Sequence, residues 1–370
     1  MRALASLAIG APFLGRCRRV SRLVAVPLLT SAVTILMLSA HLSAQPRVAE
    51  SAAQEQLHEA IRNVDIAALR EALKAGADPN RRYGGRGRSV LSVVGMKQLL
   101  GVRGQVPPES EERVIAVYEV LFEAGAQLRA YDRDILHAAA IGGAPRIAKY
   151  LLERGANPNG EDGDGVTPVI LATKYGHPEV VALLVAAGAK KLDDKTTAQI
   201  RMITAAARGD LVALRRELAR GAEVNLKSPS GETALVEAIR GGVFSGGNLL
   251  IVRELLKLGA NPNSAGRFIG ETSPLHAAVF NNEENFESDN GPAIVETLLK
   301  AGAHVSSTTY FRQQTPLHVA AAVQNTKGAA LLLKAGAKVM PRDEDGKTPL
   351  DLAQSSSMIE LLRGYGAKEQ

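Results

Sequence analysis

Two short acidic runs come nearest to a chemical signature: Asp162-Gly163-Asp164-Gly165 and Asp343-Glu344-Asp345-Gly346. Alternating carboxylates and glycine suit a hard cation such as calcium, which is bound by oxygen ligands alone. Neither run has the downstream glutamate, at the required offset, that would close such a site. Asp and Gly at this spacing are also what a tight turn requires, and a turn is the expectation. The seven histidines are His41, His58, His137, His177, His276, His304 and His318, and no pair has metal-ligand spacing. There is no His-Glu-x-x-His, no Gly-x-x-x-x-Gly-Lys and no Gly-x-Ser-x-Gly. The glycine-rich stretch 241–247 lacks the lysine a phosphate loop needs. The single cysteine, Cys17, lies near the N-terminus, so a form without that segment has no thiol nucleophile, disulfide or cysteine-bound zinc. The expectation is a chain with no catalytic residue, cofactor or metal; a metal-dependent enzyme is the remote alternative.

The surrounding chain must then be read for what it builds. At 370 residues it is too long for one ordinary compact domain unless it is a repeat array. Hydrophobic residues make up 46% and charged residues 22%, which is the balance of a packed protein. Aromatics are 4%, with no tryptophan, so the core must be made of Leu, Ala, Val and Ile. Such residues favour closely packed helices. The net charge of +6 falls to +1 without the five arginines of residues 1–44, a segment that holds no acid. A near-neutral remainder gives no global attraction to nucleic acid or anionic lipid, and no nucleic-acid partner is expected.

Residues 1–22 are basic, 23–40 are uncharged and apolar, and Ser43-Ala44-Gln45-Pro46 follows. That is the order of a secretory signal peptide cut after Ala44. An apolar run of this length also sits at the lower limit of a spanning helix, so a signal anchor is the close alternative, tethering the chain through residues 23–40. An organelle transit peptide is a third reading, against which the uninterrupted apolar block argues. The expectation is an exported, periplasmic protein, soluble after cleavage or anchored in the inner membrane. Residues 45–52 then serve as a linker.

The phrase "leucine-rich, then Gly-Ala" recurs nine times, at Gly76, Gly125, Gly155, Gly188, Gly221, Gly259, Gly302, Gly336 and Gly366. A unit of 33 residues with three enlarged copies accounts for the spacing. Many units carry Thr315-Pro316-Leu317-His318 or a relative, such as Ser273-Pro274-Leu275-His276, Thr348-Pro349-Leu350-Asp351 and Thr167-Pro168-Val169-Ile170. Thr or Ser caps a helix whose first position Pro can fill without losing a hydrogen bond. Glycine closes the second helix, and Asn157-Pro158-Asn159 or Asn261-Pro262-Asn263 opens the next turn.

From about residue 53 to 370 the chain resembles the ankyrin-repeat family. The resemblance implies an all-α repeat solenoid of about nine helix-turn-helix repeats, with short β-hairpin fingers and a concave groove beside the first helices. It also implies that His137, His276 and His318, at the fourth motif position, tie neighbouring repeats together. Repeat two has Ser89-Val90-Leu91-Ser92, repeat five lacks the motif and repeat six has Thr233-Ala234-Leu235-Val236, so less regular finger junctions are expected there. Repeats one and five share a capping pattern. Two sub-arrays, 53–192 and 193–370, and one continuous array with a degenerate middle repeat are both open readings. Insertions are expected between the helices of repeats two (Gly95 to Glu112), six (Gly241 to Asn248) and seven (Asn281 to Pro292).

The function expected of such a scaffold is binding of a protein partner, of unidentified kind, by a monomer without catalysis; a membrane-tethered organising protein is the alternative. Candidate contacts are Arg81, Arg82, Tyr83 and Arg86 in a basic finger, and Phe268, Ile269, Tyr310, Phe311 and Arg312 in the fingers of repeats seven and eight. Arginine and aromatic residues are the common anchors of protein interfaces. The competing reading is that these side chains pack finger against finger.

Overall fold

Each of the nine Gly-Ala pairs ends a helix with the glycine in the left-handed region, at φ from 86° to 97°. A Cβ added at any of them would meet nothing within 4 Å, so backbone conformation and not space demands glycine. The alanine that follows sends its N–H back to the carbonyl five residues earlier, as Ala303 does to Leu298 at 2.9 Å. This closes the helix by the Schellman pattern.

The computed structural model describes residues 52–82, 89–99, 106–128, 134–241, 248–267, 271–280, 290–310 and 312–368. The leader, most of the linker, Tyr83, Arg86, Phe268, Ile269 and Phe311 lie outside the described residues. The chain divides between Leu192 and Asp193 into two compact units.

Among the described residues, unit one contains four helix pairs: α1 (Ala52–Asn63) and α2 (Ile66–Lys74), α3 (Val90–Leu99) and α4 (Pro108–Glu123), α5 (Asp134–Gly142) and α6 (Pro145–Glu153), α7 (Pro168–Tyr175) and α8 (Pro178–Ala186). The described residues of unit two contain five: α9 (Asp194–Arg208) and α10 (Leu211–Ala219), α11 (Ala234–Gly241) and α12 (Leu249–Lys257), α13 (Pro274–Phe280) and α14 (Asn290–Lys300), α15 (Pro316–Ala322) and α16 (Thr326–Lys334), α17 (Pro349–Leu352) and α18 (Ser356–Gly364). Among the described residues, one strand pair occurs: β1 (Gly266–Arg267) runs antiparallel to β2 (Glu271–Thr272) in the repeat-seven finger. The architecture is the all-helical repeat solenoid that the sequence implies.

Within each unit first helices pack on first helices, and second on second. The first helices bring runs of alanine to that contact, including Ala138 to Ala140, Ala277, Ala278, Ala320 and Ala321, all 1% exposed or less. Small side chains let the axes approach. The second helices supply Leu151, Leu184, Leu255, Leu298, Leu332 and Leu362, all fully buried. Burial of one such leucine contributes about 1.5–3 kcal/mol.

Both units open alike. Gln54 on α1 and Gln199 on α9 are buried, and each pairs through its amide with the backbone of the residue two past a closing glycine. The repeat-two insertion is shorter than its sequence suggests, because α3 continues to Leu99 and α4 begins at Pro108. Pro108 with Glu109 and Glu111 in the first turn makes a favourable helix start. The repeat-six finger junction is regular, contrary to expectation: Thr233 Oγ1 accepts the Val236 N–H at 3.3 Å. Ala234 replaces proline there, and alanine suits the first turn of a helix.

Candidate interaction surface

The motif histidines are spent on holding repeats together. A carbonyl can only accept, so each ring donates from Nε2: His137 to Val166 at 2.7 Å, His276 to Gln314 at 2.9 Å and His318 to Lys347 at 3.0 Å. In two of them Nδ1 accepts, from Ser273 Oγ in His276 and from the Thr315 N–H in His318. Burial pushes the His276 imidazole down to about 4, outweighing its backbone hydrogen bond, and burial lowers His318 as well. Both are neutral structural groups at pH 7.

The acidic runs are turns. Asp162 Oδ1 accepts the N–H groups of Asp164 and Val166 at 2.8 and 2.9 Å, and Asp343 Oδ1 accepts those of Asp345 and Lys347 at 3.0 and 2.9 Å. The buried Glu111 accepts the Ile147 N–H at 3.1 Å and so caps α6, whose N-cap residue Ala144 has no side chain to do it. Burial raises the Glu111 carboxyl above the usual carboxylate range. Glu217, also buried, lies between Arg216 and Arg220 at 2.9 and 3.1 Å. Among the described residues no group of three or more His, Cys, Asp or Glu is placed to hold a metal. None of their helices is long and apolar enough to cross a membrane.

The fingers at Asp162–Val166, Ser228–Glu232 and Asp343–Lys347 close with an N–H to carbonyl bond of 2.9–3.0 Å, and each has a glycine near φ 75–79° before its last residue. The repeat-eight finger differs. Thr309 N–H donates to the Gln314 carbonyl at 2.9 Å, giving a tip one residue longer, and the left-handed positions are Arg312 (φ 66°) and Gln313 (φ 54°). Two consecutive non-glycine residues there store backbone strain of about 1–3 kcal/mol each.

Tyr310 stands at this tip and is 74% exposed. Arg312 is turned toward the next finger: its carbonyl accepts the Glu344 N–H at 2.8 Å, and its guanidinium lies 3.8 Å from Asp345 Oδ2. Finger-to-finger packing therefore accounts for Arg312, while Tyr310 faces solvent. In unit one, Arg81 is half-buried and Arg82 exposed, and the Arg81 N–H donates to the Asp78 carbonyl at 3.3 Å.

Between the stems of the repeat-eight and repeat-nine fingers lies a hollow of about 200 Å³. Its polar lining is Ser306, Thr308, Gln313, Thr315, Lys338 and Arg342, with no carboxylate. Sequence reasoning passed over these residues. Ser306 occupies the position of a motif asparagine, which is the signal that could have found them.

Three copies of a family model described as "Ankyrin repeats (3 copies)" match residues 112–195, 202–309 and 286–369, well over half the chain. Rabankyrin-5 of Mus musculus is 30% identical over 183 residues, covering 48% of this chain and 14% of its own length. The nuclear factor NF-kappa-B p105 subunit of Gallus gallus is 31% identical over 249 residues, covering 62% of this chain and 21% of its own. The chain thus spans less than a quarter of either relative. The crystal structure of the human ASB11 ankyrin repeat domain is similar at 24% identity and a TM-score of 0.39, over 64% of this chain and 99% of that one.

Proposed function

The chain belongs to the ankyrin-repeat family, and from that premise we propose that it is a non-catalytic scaffold that binds a folded protein partner through its finger tips and first-helix faces. Ankyrin repeats generally bind protein partners, and the fold is generally a non-enzymatic interaction module. The observation that carries the reading here is Tyr310, 74% exposed on a glycine-free finger whose backbone is held in a costly conformation. An exposed tyrosine is well suited to anchor an interface.

The scaffold acts outside the cytoplasm, in this reading. The basic segment 1–22 followed by the uncharged run 23–40 supports export to the periplasm, and cleavage after Ala44 would leave a soluble monomer. A second reading keeps the run 23–40 as a tether and makes the chain a membrane-organising protein. The N-terminal residue of the mature chain separates them: Gln45 supports the soluble form and an intact leader the tethered one.

Co-purification from the host tests the scaffold itself. The native chain is compared with a variant carrying Phe268→Ala, Tyr310→Ala and Phe311→Ala, with folding checked by circular dichroism. Loss of one captured partner, by about 30-fold or more in affinity, is expected if these tips are the anchor. Retention of the same partner would move the site away from repeats seven and eight.

A further inference from the structure

Asparagine bridges run along the finger bases, but not at every step: the fourth residue after Gly125, Gly188, Gly302 and Gly336 is Arg129, Leu192, Ser306 and Met340. Asn80, Asn159, Asn225 and Asn263 each stand four residues after a helix-closing glycine. Each donates from Nδ2 to the glycine carbonyl of the next repeat at 2.8–3.0 Å. Each also accepts, at Oδ1, the N–H two residues past that glycine at 2.8–2.9 Å. After Gly302 the same position holds Ser306, whose side chain is one bond shorter and has no amide. Among the described residues, neither the Gly336 carbonyl nor the Lys338 N–H is bridged. One step further, Met340 sulfur accepts the Lys368 N–H at 3.4 Å, so half of the bridge returns. The hollow of about 200 Å³ opens at the Ser306 step, with Ser306 and Lys338 in its lining.

We propose that this hollow receives an aspartate or glutamate side chain from an acidic segment of the protein partner. The inference rests on the scaffold reading and names the chemistry that one of its sites recognises. The lining residues with groups able to donate are Lys338, Arg342, Ser306 and Thr308. A carboxylate has about four lone-pair positions to accept them. Arg342 is held in place by a bond from Nη1 to the Gly346 carbonyl at 2.7 Å. Of the neighbouring acids, Asp343 serves its own turn and the Gln314 amide, Asp345 faces Arg312, and Asp351 is stabilised in part by the Arg342 charge. The volume is below the range of pockets for drug-sized ligands and fits one side chain. A nucleic acid would need many phosphate contacts, and this chain without its leader is close to neutral.

The test uses a fluorescein-labelled oligoglutamate peptide, with oligoglutamine of equal length as control, and anisotropy as readout. Native chain is compared with Ser306→Asn, which restores the bridging amide and leaves the charge unchanged. Binding of oligoglutamate but not oligoglutamine, weakened about tenfold by Ser306→Asn together with a raised melting temperature, is expected. Lys338→Gln and Arg342→Gln should weaken it similarly, which keeps the proposal testable should Ser306→Asn fold poorly. Equal binding by native chain and Ser306→Asn would overturn the proposal, because general electrostatic attraction survives that substitution. Absence of oligoglutamate binding to the native chain would overturn it too. Tighter binding of single-stranded DNA than of oligoglutamate, lost in the same variant, would assign the hollow to a nucleic acid and also overturn it. A partner captured from the host equally by native chain and Ser306→Asn, yet lost in the finger-tip variant, would defeat this proposal alone and leave the scaffold standing.

Discussion

Asn263 Nδ2 donates to the carbonyl of Gly302 at 3.0 Å and so joins one repeat to the next across 39 residues of sequence. Its Oδ1 closes the pair by accepting the His304 N–H at 2.8 Å. Solenoid stability is a sum of repeat and neighbour-interface contributions, so a bridge of this kind acts on the interface. Asn263→Ala is expected to destabilise unit two by about 1–2 kcal/mol, for two exposed hydrogen bonds lost. Urea unfolding checks it; an unchanged midpoint would mean that water replaces the amide without cost.

His276 makes unit two sensitive to acid. Its pKa is about 4 when folded, against 6.5 when exposed, because burial disfavours the charged ring. Above pH 6.5 both states are neutral and the full stability is present. Below it the unfolded chain gains the proton first, so stability falls between pH 6.5 and 4 and then levels off, by about 3 kcal/mol in all. His318 is lowered for the same reason and acts in the same direction. Glu111, raised by burial, works oppositely in unit one and gains stability as pH falls. His276→Gln should flatten the pH dependence of urea unfolding over this window relative to the native chain; an identical slope in both would refute the assignment.

Much of this architecture is legible in the residues themselves, and for physical reasons. Gly-Ala after a leucine-rich stretch dictates a helix end, because only glycine adopts the required φ without strain. Thr-Pro-Leu-His dictates a helix start, and the ring of His318 reaches the Lys347 carbonyl as that motif implies. What stays illegible depends on neighbours distant in sequence. Arg312 reads as a contact residue by type, yet its direction is set by Glu344 and Asp345 on the following finger. Ser306 is unremarkable in its own segment. Its significance appears only against the asparagines that hold the equivalent position in four other repeats and the backbone groups they satisfy.

The repeat-eight finger should be improvable at Gln313. This residue sits at φ 54°, where glycine is at home and a β-branched side chain is strongly disfavoured. Gln313→Gly removes strain but adds freedom to the unfolded chain, for a net gain of about 0.5–1 kcal/mol. Gln313→Val should instead cost about 1–2 kcal/mol. Melting temperatures in the order Gly, Gln, Val from high to low are expected. The reverse order would show that the finger does not hold this conformation in solution.

Two glycines within helices should respond in opposite ways to the same substitution. Gly241 ends α11, and a Cβ there would clash with the carbonyl oxygen of Ala207 on α9. No rotamer relieves a clash between Cβ and backbone, so the helices must separate. Overpacking of this kind costs about 1–3 kcal/mol. Gly364 ends α18, and a Cβ there would meet nothing within 4 Å. Alanine at that position gains helix propensity of up to about 1 kcal/mol. Gly241→Ala is therefore expected to lower the urea midpoint of unit two, and Gly364→Ala to leave it unchanged or raise it. A similar loss in both would show that propensity and close approach are not what separates these sites.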